Sequence, residues 1–209
     1  NNDDIQERQI AIEELATVLN WRQRFQAEGM VVSEKIHSPE DLIDWANEKN
    51  EYFRRPWVIN VFRIIPCITI VLILTGFVLN VIPKIWPIIA LIVQYALIRF
   101  RMKDRYQMFN ISEKYSEDLR IYYKMLRMVE KHKFKSKHIN EIKDKIRNKY
   151  GTEAYKQIET LSKVIDSISN HRNMLYFIFN ILTLWDFQLI IDLEKWKRKS
   201  GHLLKDWLD

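Results

Sequence analysis

Apolar and polar positions along this chain repeat with the period of helices almost throughout. Between Asp4 and Glu28, Ile12, Leu15 and Leu19, with Val18, Trp21 and Phe25 offset from them, predict one apolar face. Gly29 stands where a helix-ending residue belongs. The clearest start signal is Ser38-Pro39-Glu40-Asp41, with serine at the cap, proline in the first helical position and an acid at the third. Behind it Leu42, Ile43, Trp45, Ala46 and Phe53 predict a core-facing stripe. The segment from Met30 to Ile36 is the only extended candidate, too isolated to make a sheet.

Further on, Met108, Ile111, Tyr115, Leu119, Tyr122, Leu126 and Val129 recur by threes and fours. They predict a long helix over 99–131 with a seam close to that of a coiled coil. A shorter helix carries Ile139, Ile142, Ile146 and Tyr150 before Gly151, and another carries Ile158, Leu161, Ile165 and Ile168. A last long helix is predicted over 174–200, ended by Gly201, with a new start in "HLLKDWLD". No repeat and no low-complexity linker interrupts this order. The expected class is all-α, built from long antiparallel helices.

One stretch breaks the amphipathic pattern. From Ile64 to Ile98 the chain carries a single charged residue, Lys84. The uncharged run Ile64–Pro83 reaches the roughly 20 residues that a helix needs to cross a hydrocarbon core of about 30 Å. The run from Ile85 to Ile98 is shorter and reads as the return arm of a hairpin turning at "NVIPKIWP", with Trp86 suited to the interface. Arg54, Arg55 and Arg63 precede the hairpin, and Arg99, Arg101, Lys103 and Arg105 follow it. Positive charge collects on the cytoplasmic side of spans, so both hydrophilic parts are expected in the cytoplasm and the turn outside. The competing reading is a hairpin buried in a soluble core, which would have to wrap residues that are apolar on every face. The expected division is therefore an N-terminal helical part (1–56), a transmembrane hairpin (57–100) and returning helices (101–209). "MLYFIFNILTLWDFQLII" is also apolar, but Asn180, Asp186 and Gln188 favour a buried soluble helix over a third span.

Charge adds a partner class. Lys and Arg number 33 against 27 Asp and Glu, a net +6, with a pI near 9.3. Such a balance suits nucleic acid or anionic lipid. Lys131, Lys133, Lys135, Lys137, Lys143, Lys145, Arg147 and Lys149 form the densest run and are candidate contacts to DNA phosphates or lipid headgroups. A solvated helix face with a polar turn explains the same run, and Phe134 alone gives too little aromatic surface for base stacking. The lone Cys67 permits no disulfide framework and no thiolate metal site. The chain opens without Met and stops inside an amphipathic pattern, so it reads as a piece of something longer.

Catalytic signatures are missing from these residues. Gly29, Gly76, Gly151 and Gly201 are too scattered for a phosphate loop. His132 and His138 read as parts of a basic turn, and Asp186, Asp192 and Glu194 as partners of Lys195, Lys197 and Arg198 along one helix. No catalytic, cofactor-binding or metal-ligating residue is nominated.

In Glu7–Gly29, Arg8, Gln9, Ala11, Ile12, Glu14 and Leu15 form a run of the type R-Q-x-A-[IV]-x-E-L. This run resembles the one that opens the helical core of MutS-family proteins. Nearer the end, Asn180, Leu184, Trp185, Asp186, Leu193, Glu194, Trp196 and Lys197 are similar to the helix before the ATPase domain in a membrane-associated MutS-like subgroup. The resemblance implies an all-α core and lever region, with the hairpin standing where relatives carry a DNA clamp. For a longer parent it implies ATP with Mg, a role in mismatched-DNA binding and repair, and a homodimer through an ATPase domain beyond this chain. The hairpin departs from the family pattern, because a clamp grips phosphates with soluble basic surface. The alternative from another class is a membrane-anchored helical scaffold that binds protein partners.

Overall fold

The computed structural model describes residues 2–33, 37–48, 50–53, 55–100, 102–146, 153–169 and 174–208, and among these every regular element is helical. The chain divides into two compact units. One comprises Asn1–Ala46, Lys114–Lys163 and Ser200–Asp209, the other Asn47–Glu113 and Val164–Lys199.

In the first unit, α1 (Asn2–Thr17) and α2 (Leu19–Ser33) are separated at Val18. That break overturns the predicted single apolar face, because Ile12 and Leu19 are exposed while Ala11 is buried and Trp21 and Phe25 are half-buried. After the break, the stacked pair Trp21 and Phe25 (5.2 Å) is brought onto Phe134, whose ring meets Trp21 edge-on at 5.3 Å. Gly29 does not end the helix. It sits within α2, where a Cβ would lie 3.7 Å from Met125 Cε, and Met30–Ser33 is helical rather than extended. Residues 34–36 of the extended candidate, like Tyr150 and Gly151, lie outside the described residues.

The start at Ser38 holds: α3 spans Pro39–Asn47, and the Glu40 N–H donates to Ser38 Oγ at 3.4 Å. Leu42 and Ala46 face inward, whereas Phe53 lies past the end of α3 and belongs to the second unit. The predicted seam appears in α6 (Met102–Lys131), where Met108, Tyr115, Leu119 and Leu126 are buried. The Tyr115 hydroxyl donates to the Ser38 carbonyl at 2.9 Å. α7 (Lys137–Ile146) and α8 (Ala154–Ser169) follow, and Ile158, Leu161, Ile165 and Ile168 of α8 are all buried, as their spacing predicts. Past a 3-10 turn at Gly201–Leu203, α11 (Leu204–Leu208) donates from Trp207 Nε1 to the Ile146 carbonyl at 2.9 Å. Gly201 has no room for a side chain, since a Cβ would lie 2.5 Å from the Ala46 carbonyl oxygen.

The second unit contains α4 (Pro56–Ile73), which runs on through a π-helical turn at Leu74–Val78, and α5 (Ile85–Phe100). It also holds the first part of α6 and the end of α8. The helix predicted over 174–200 is instead two helices, α9 (Met174–Thr183) and α10 (Trp185–Ser200), bent by 68° at Leu184. Leu184 has φ 51°, a left-handed cap unusual for a residue with a branched side chain, and it is fully buried. Its N–H donates to the Asn180 carbonyl at 2.8 Å. An aromatic core of Phe53, Phe62 and Phe187 lies at the foot of α4, with Phe62 and Phe187 stacked at 4.4 Å.

Candidate membrane interface

The helix from Pro56 to Val78 has 23 residues and is long and apolar enough to cross a membrane. Only 22% of its most apolar window is buried inside the protein, so Ile64, Ile68, Val71, Leu74 and Phe77 face outward. Its start lies N-terminal of the predicted Ile64, because Pro56 occupies the first helical position, where a missing N–H does no harm. It ends at Val78 rather than Pro83, and the chain turns through Asn80 (φ 52°), a residue type that tolerates the left-handed region. α5 packs on α4 where Gly76 meets Pro87; a Cβ at Gly76 would lie 2.7 Å from Pro87 Cγ. With 16 residues, or about 24 Å of rise, α5 is shorter than α4.

Side-chain donors meet several backbone carbonyls within this unit. Pro66 sits inside α4 and brings no N–H for the Phe62 carbonyl one turn earlier. Gln188 Nε2, from α10, donates to that carbonyl at 2.9 Å. Gln94 of α5 is fully buried, and its Nε2 donates at 3.4 Å to the Leu182 carbonyl in the last turn of α9. Thr69 and Thr75 return their hydroxyls to the Ile65 and Val71 carbonyls at 3.1 and 2.8 Å. Such internal pairing is what a helical unit surrounded by hydrocarbon requires.

At the foot of the unit is a buried carboxylate. Asp186 is fully buried in the first turn of α10. Its Oδ2 accepts from Arg105 Nε at 2.6 Å and from Asn180 Nδ2 at 2.7 Å, and the Arg105 guanidinium closes a second contact on the same oxygen. Its Oδ1 accepts from the Tyr176 hydroxyl, and its own N–H donates to Asn180 Oδ1 at 2.9 Å. The expected pairing of Asp186 with lysines along its own helix is therefore corrected: its cation is Arg105, while Lys197 pairs with Glu194 at 3.1 Å. A charge this deeply buried needs both oxygens met: Arg105 and Asn180 meet Oδ2 and Tyr176 meets Oδ1, while Lys195 and Lys197 lie nine and eleven residues further along the chain. Burial, the larger influence, pushes the Glu194 carboxyl above its ordinary range against the pull of Lys197.

Among the basic residues flanking the apolar unit, Arg55, Arg63, Arg99 and Lys103 are exposed, and Arg105 is committed to Asp186. Arg54 and Arg101 lie outside the described residues. In the dense basic run, anions and acceptors from elsewhere in the first unit occupy several positions. The N–H groups of Lys135 and Ser136 hold the two oxygens of Glu14, each at 2.6 Å. The Lys135 N–H is the largest influence holding the Glu14 carboxyl below its ordinary range; desolvation, next in size, opposes it, and the Ser136 N–H and the charges of His132 and Lys135 add lesser pulls. Lys137 pairs with Glu7 at 3.0 Å and Glu141 at 3.6 Å, and Lys143 donates to the His132 carbonyl at 2.7 Å. Lys131 lies over the Tyr155 ring at 5.4 Å. Lys133, Lys135 and Lys145 present exposed side chains, and Arg147 and Lys149 lie outside the described residues. Phe134 is buried against Trp21 and has no face turned to solvent for a base.

Glu7, His138 and Glu141 bring ligating atoms within 4.8 Å of one another. The Lys137 ammonium lies within ion-pair distance of both carboxylates, which makes this an ion-pair cluster. Sequence reasoning missed the Gln188–Phe62 and Arg105–Asp186 pairings. The one local signal for the first was a proline inside an apolar helix, which announces an unmet carbonyl. Compared with known protein families, with curated proteins and with solved structures, the chain finds no match.

Proposed function

We propose that this chain is a membrane-anchored helical module, in which α4 and α5 insert as a hairpin and hold the charged helices at the cytoplasmic surface. The observation that carries this reading is the outward-facing apolar surface along Pro56–Val78, combined with backbone carbonyls met by Gln94 and Gln188 rather than left to water. Exposed arginines at both ends of the unit, Arg55, Arg63 and Arg99, suit anionic headgroups, and long side chains at Arg63 and Arg99 can extend to the interface. The test is alkaline carbonate extraction of membranes from cells expressing the chain. Retention in the pellet is expected, and release with peripheral proteins refutes insertion.

The mechanical role we propose for the helices is that of a MutS-like lever, coupling ATP binding and hydrolysis in a further domain to helix movement at the bilayer, within a homodimeric, DNA-binding repair protein. This rests on the residue resemblance alone. Here Glu14, Asn180, Asp186 and Glu194, four residues of that resemblance, each make a structural contact within the chain. A parent gene encoding G-x-x-x-x-G-K-[ST] within about a hundred residues after Asp209 is the expected outcome, and its absence refutes the lever role.

A further inference from the structure

We propose that α9 is a third bilayer-contacting element, lying within the interface beside α4 and α5 without crossing the membrane. This rests on the anchor reading and extends it to a segment that the sequence assigns to a buried soluble core. Leu175, Phe177, Ile178 and Phe179 are 75%, 56%, 50% and 46% exposed, an apolar surface on which, among the described residues, the Trp185 ring lies beside Phe179 at 5.6 Å. α9 packs against both α4 and α5 within one compact unit, so its bare apolar residues belong to the same unit as the outward face of the spanning helix.

Length decides how far α9 goes. Its ten residues rise about 15 Å, half of a hydrocarbon core. The polar side of α9 has a different destination. Tyr176 and Asn180, one turn apart, both bond to Asp186, which Arg105 neutralises. The last turn of α9 is met from α5 through Gln94 and the Leu182 carbonyl. The chain then bends by 68° at Leu184 and carries α10 away, its own apolar residues Phe187, Ile190, Ile191 and Leu193 buried within the protein. Trp185, partly exposed at the bend, is a residue type that favours the headgroup level. A helix with one polar side anchored to a buried ion pair and one apolar side bare is built to lie in the acyl–headgroup boundary, and lipid is the occupant we assign.

Spin labels read this directly. In a Cys67→Ser background, Leu175→Cys, Phe179→Cys, Ile68→Cys and Gln107→Cys are labelled and reconstituted into phosphatidylcholine–phosphatidylglycerol vesicles. Collision rates with oxygen, which prefers lipid, and with a polar nickel chelate, which prefers water, are then compared. All four positions are exposed, so the substitutions remove little packing. The expected oxygen-to-nickel ratio at 175 and 179 is several-fold above that at 107, corresponding to about 5–10 Å below the phosphates, and lower than at 68. Water-like values at 175 and 179 with a deep signal at 68 overturn the α9 assignment and leave the anchor standing. Water-like values at all four sites overturn both. Shielding of 175 and 179 from both probes puts protein on that face, and a depth equal to that at 68 makes α9 part of a crossing; either result overturns the proposal.

Discussion

Single side chains carry the consequences of backbone chemistry in this protein. Pro66 removes a donor from the middle of α4, and Gln188 replaces it from another helix. Substituting Gln188→Leu leaves the Phe62 carbonyl buried and unmet and should destabilise the second unit by about 1–3 kcal/mol. Pro66→Ala restores the missing N–H, so the same Gln188→Leu change should cost less in that background. Denaturant unfolding in detergent micelles checks both, and additive effects of the two changes would show that the glutamine does not serve this carbonyl. Glu14 gives the pH counterpart in the first unit. Its folded pKa lies below the ordinary value of 4.5, so its contribution is present above about pH 4.5 and is lost as pH falls through the lowered value. Hydrogen exchange at the Lys135 and Ser136 amides, corrected for intrinsic rates, should lose protection over that acidic window. In Glu14→Gln the protection should already be weaker at pH 7 and should no longer titrate there.

Elements differ in how much of them the sequence disclosed, and the difference has a physical cause. The seam of α6 and the buried face of α8 were legible because each packs one stripe continuously against protein, so the spacing of apolar residues reports the burial. The first helix misled because its register resets at Val18 and its inward face is set by Trp21 docking on Phe134, over a hundred positions further along the chain. The break between α9 and α10 was hidden for the same reason: nothing local marks Leu184 as left-handed, and the bend is held by Asn180 and Asp186. In the apolar unit the composition disclosed α4, but its closest approach to α5 depends on Gly76 lying against Pro87. Gly76→Ala should force these helices apart and destabilise their packing by roughly 1–3 kcal/mol, read as a lowered unfolding midpoint in micelles. The basic run was legible as charge but not as structure, since Glu7 and Glu14 arrive from α1. Converting Lys133, Lys135 and Lys145 together to Gln should leave the thermal midpoint nearly unchanged, because exposed charges contribute little. Lys143→Gln should lower it, because that ammonium holds the end of α6 to α7 through the His132 carbonyl.

For the molecule as a whole, the anchor reading predicts an insertion that the one native thiol can report. Cys67 is exposed on α4, four residues beyond Arg63, and on this reading its surroundings are acyl chains rather than water. A membrane-impermeant maleimide should therefore fail to modify it in intact membranes and should modify it readily once detergent replaces the bilayer with a mobile micelle. The two polar ends can be separated in a Cys67→Ser background. Lys84 stands alone at the turn between the apolar helices, so Lys84→Cys should react from outside intact cells. On the anchor reading the basic run is expected in the cytoplasm, so Lys133→Cys should react only after permeabilisation. On the anchor reading this asymmetry follows from charge, because the positive-inside bias favours keeping the arginine-rich ends in the cytoplasm and sending the turn with its one lysine across. Labelling of Lys133→Cys from outside with protection of Lys84→Cys would invert the orientation. Rapid labelling of native Cys67 in untreated membranes would place α4 in water and remove the anchor altogether.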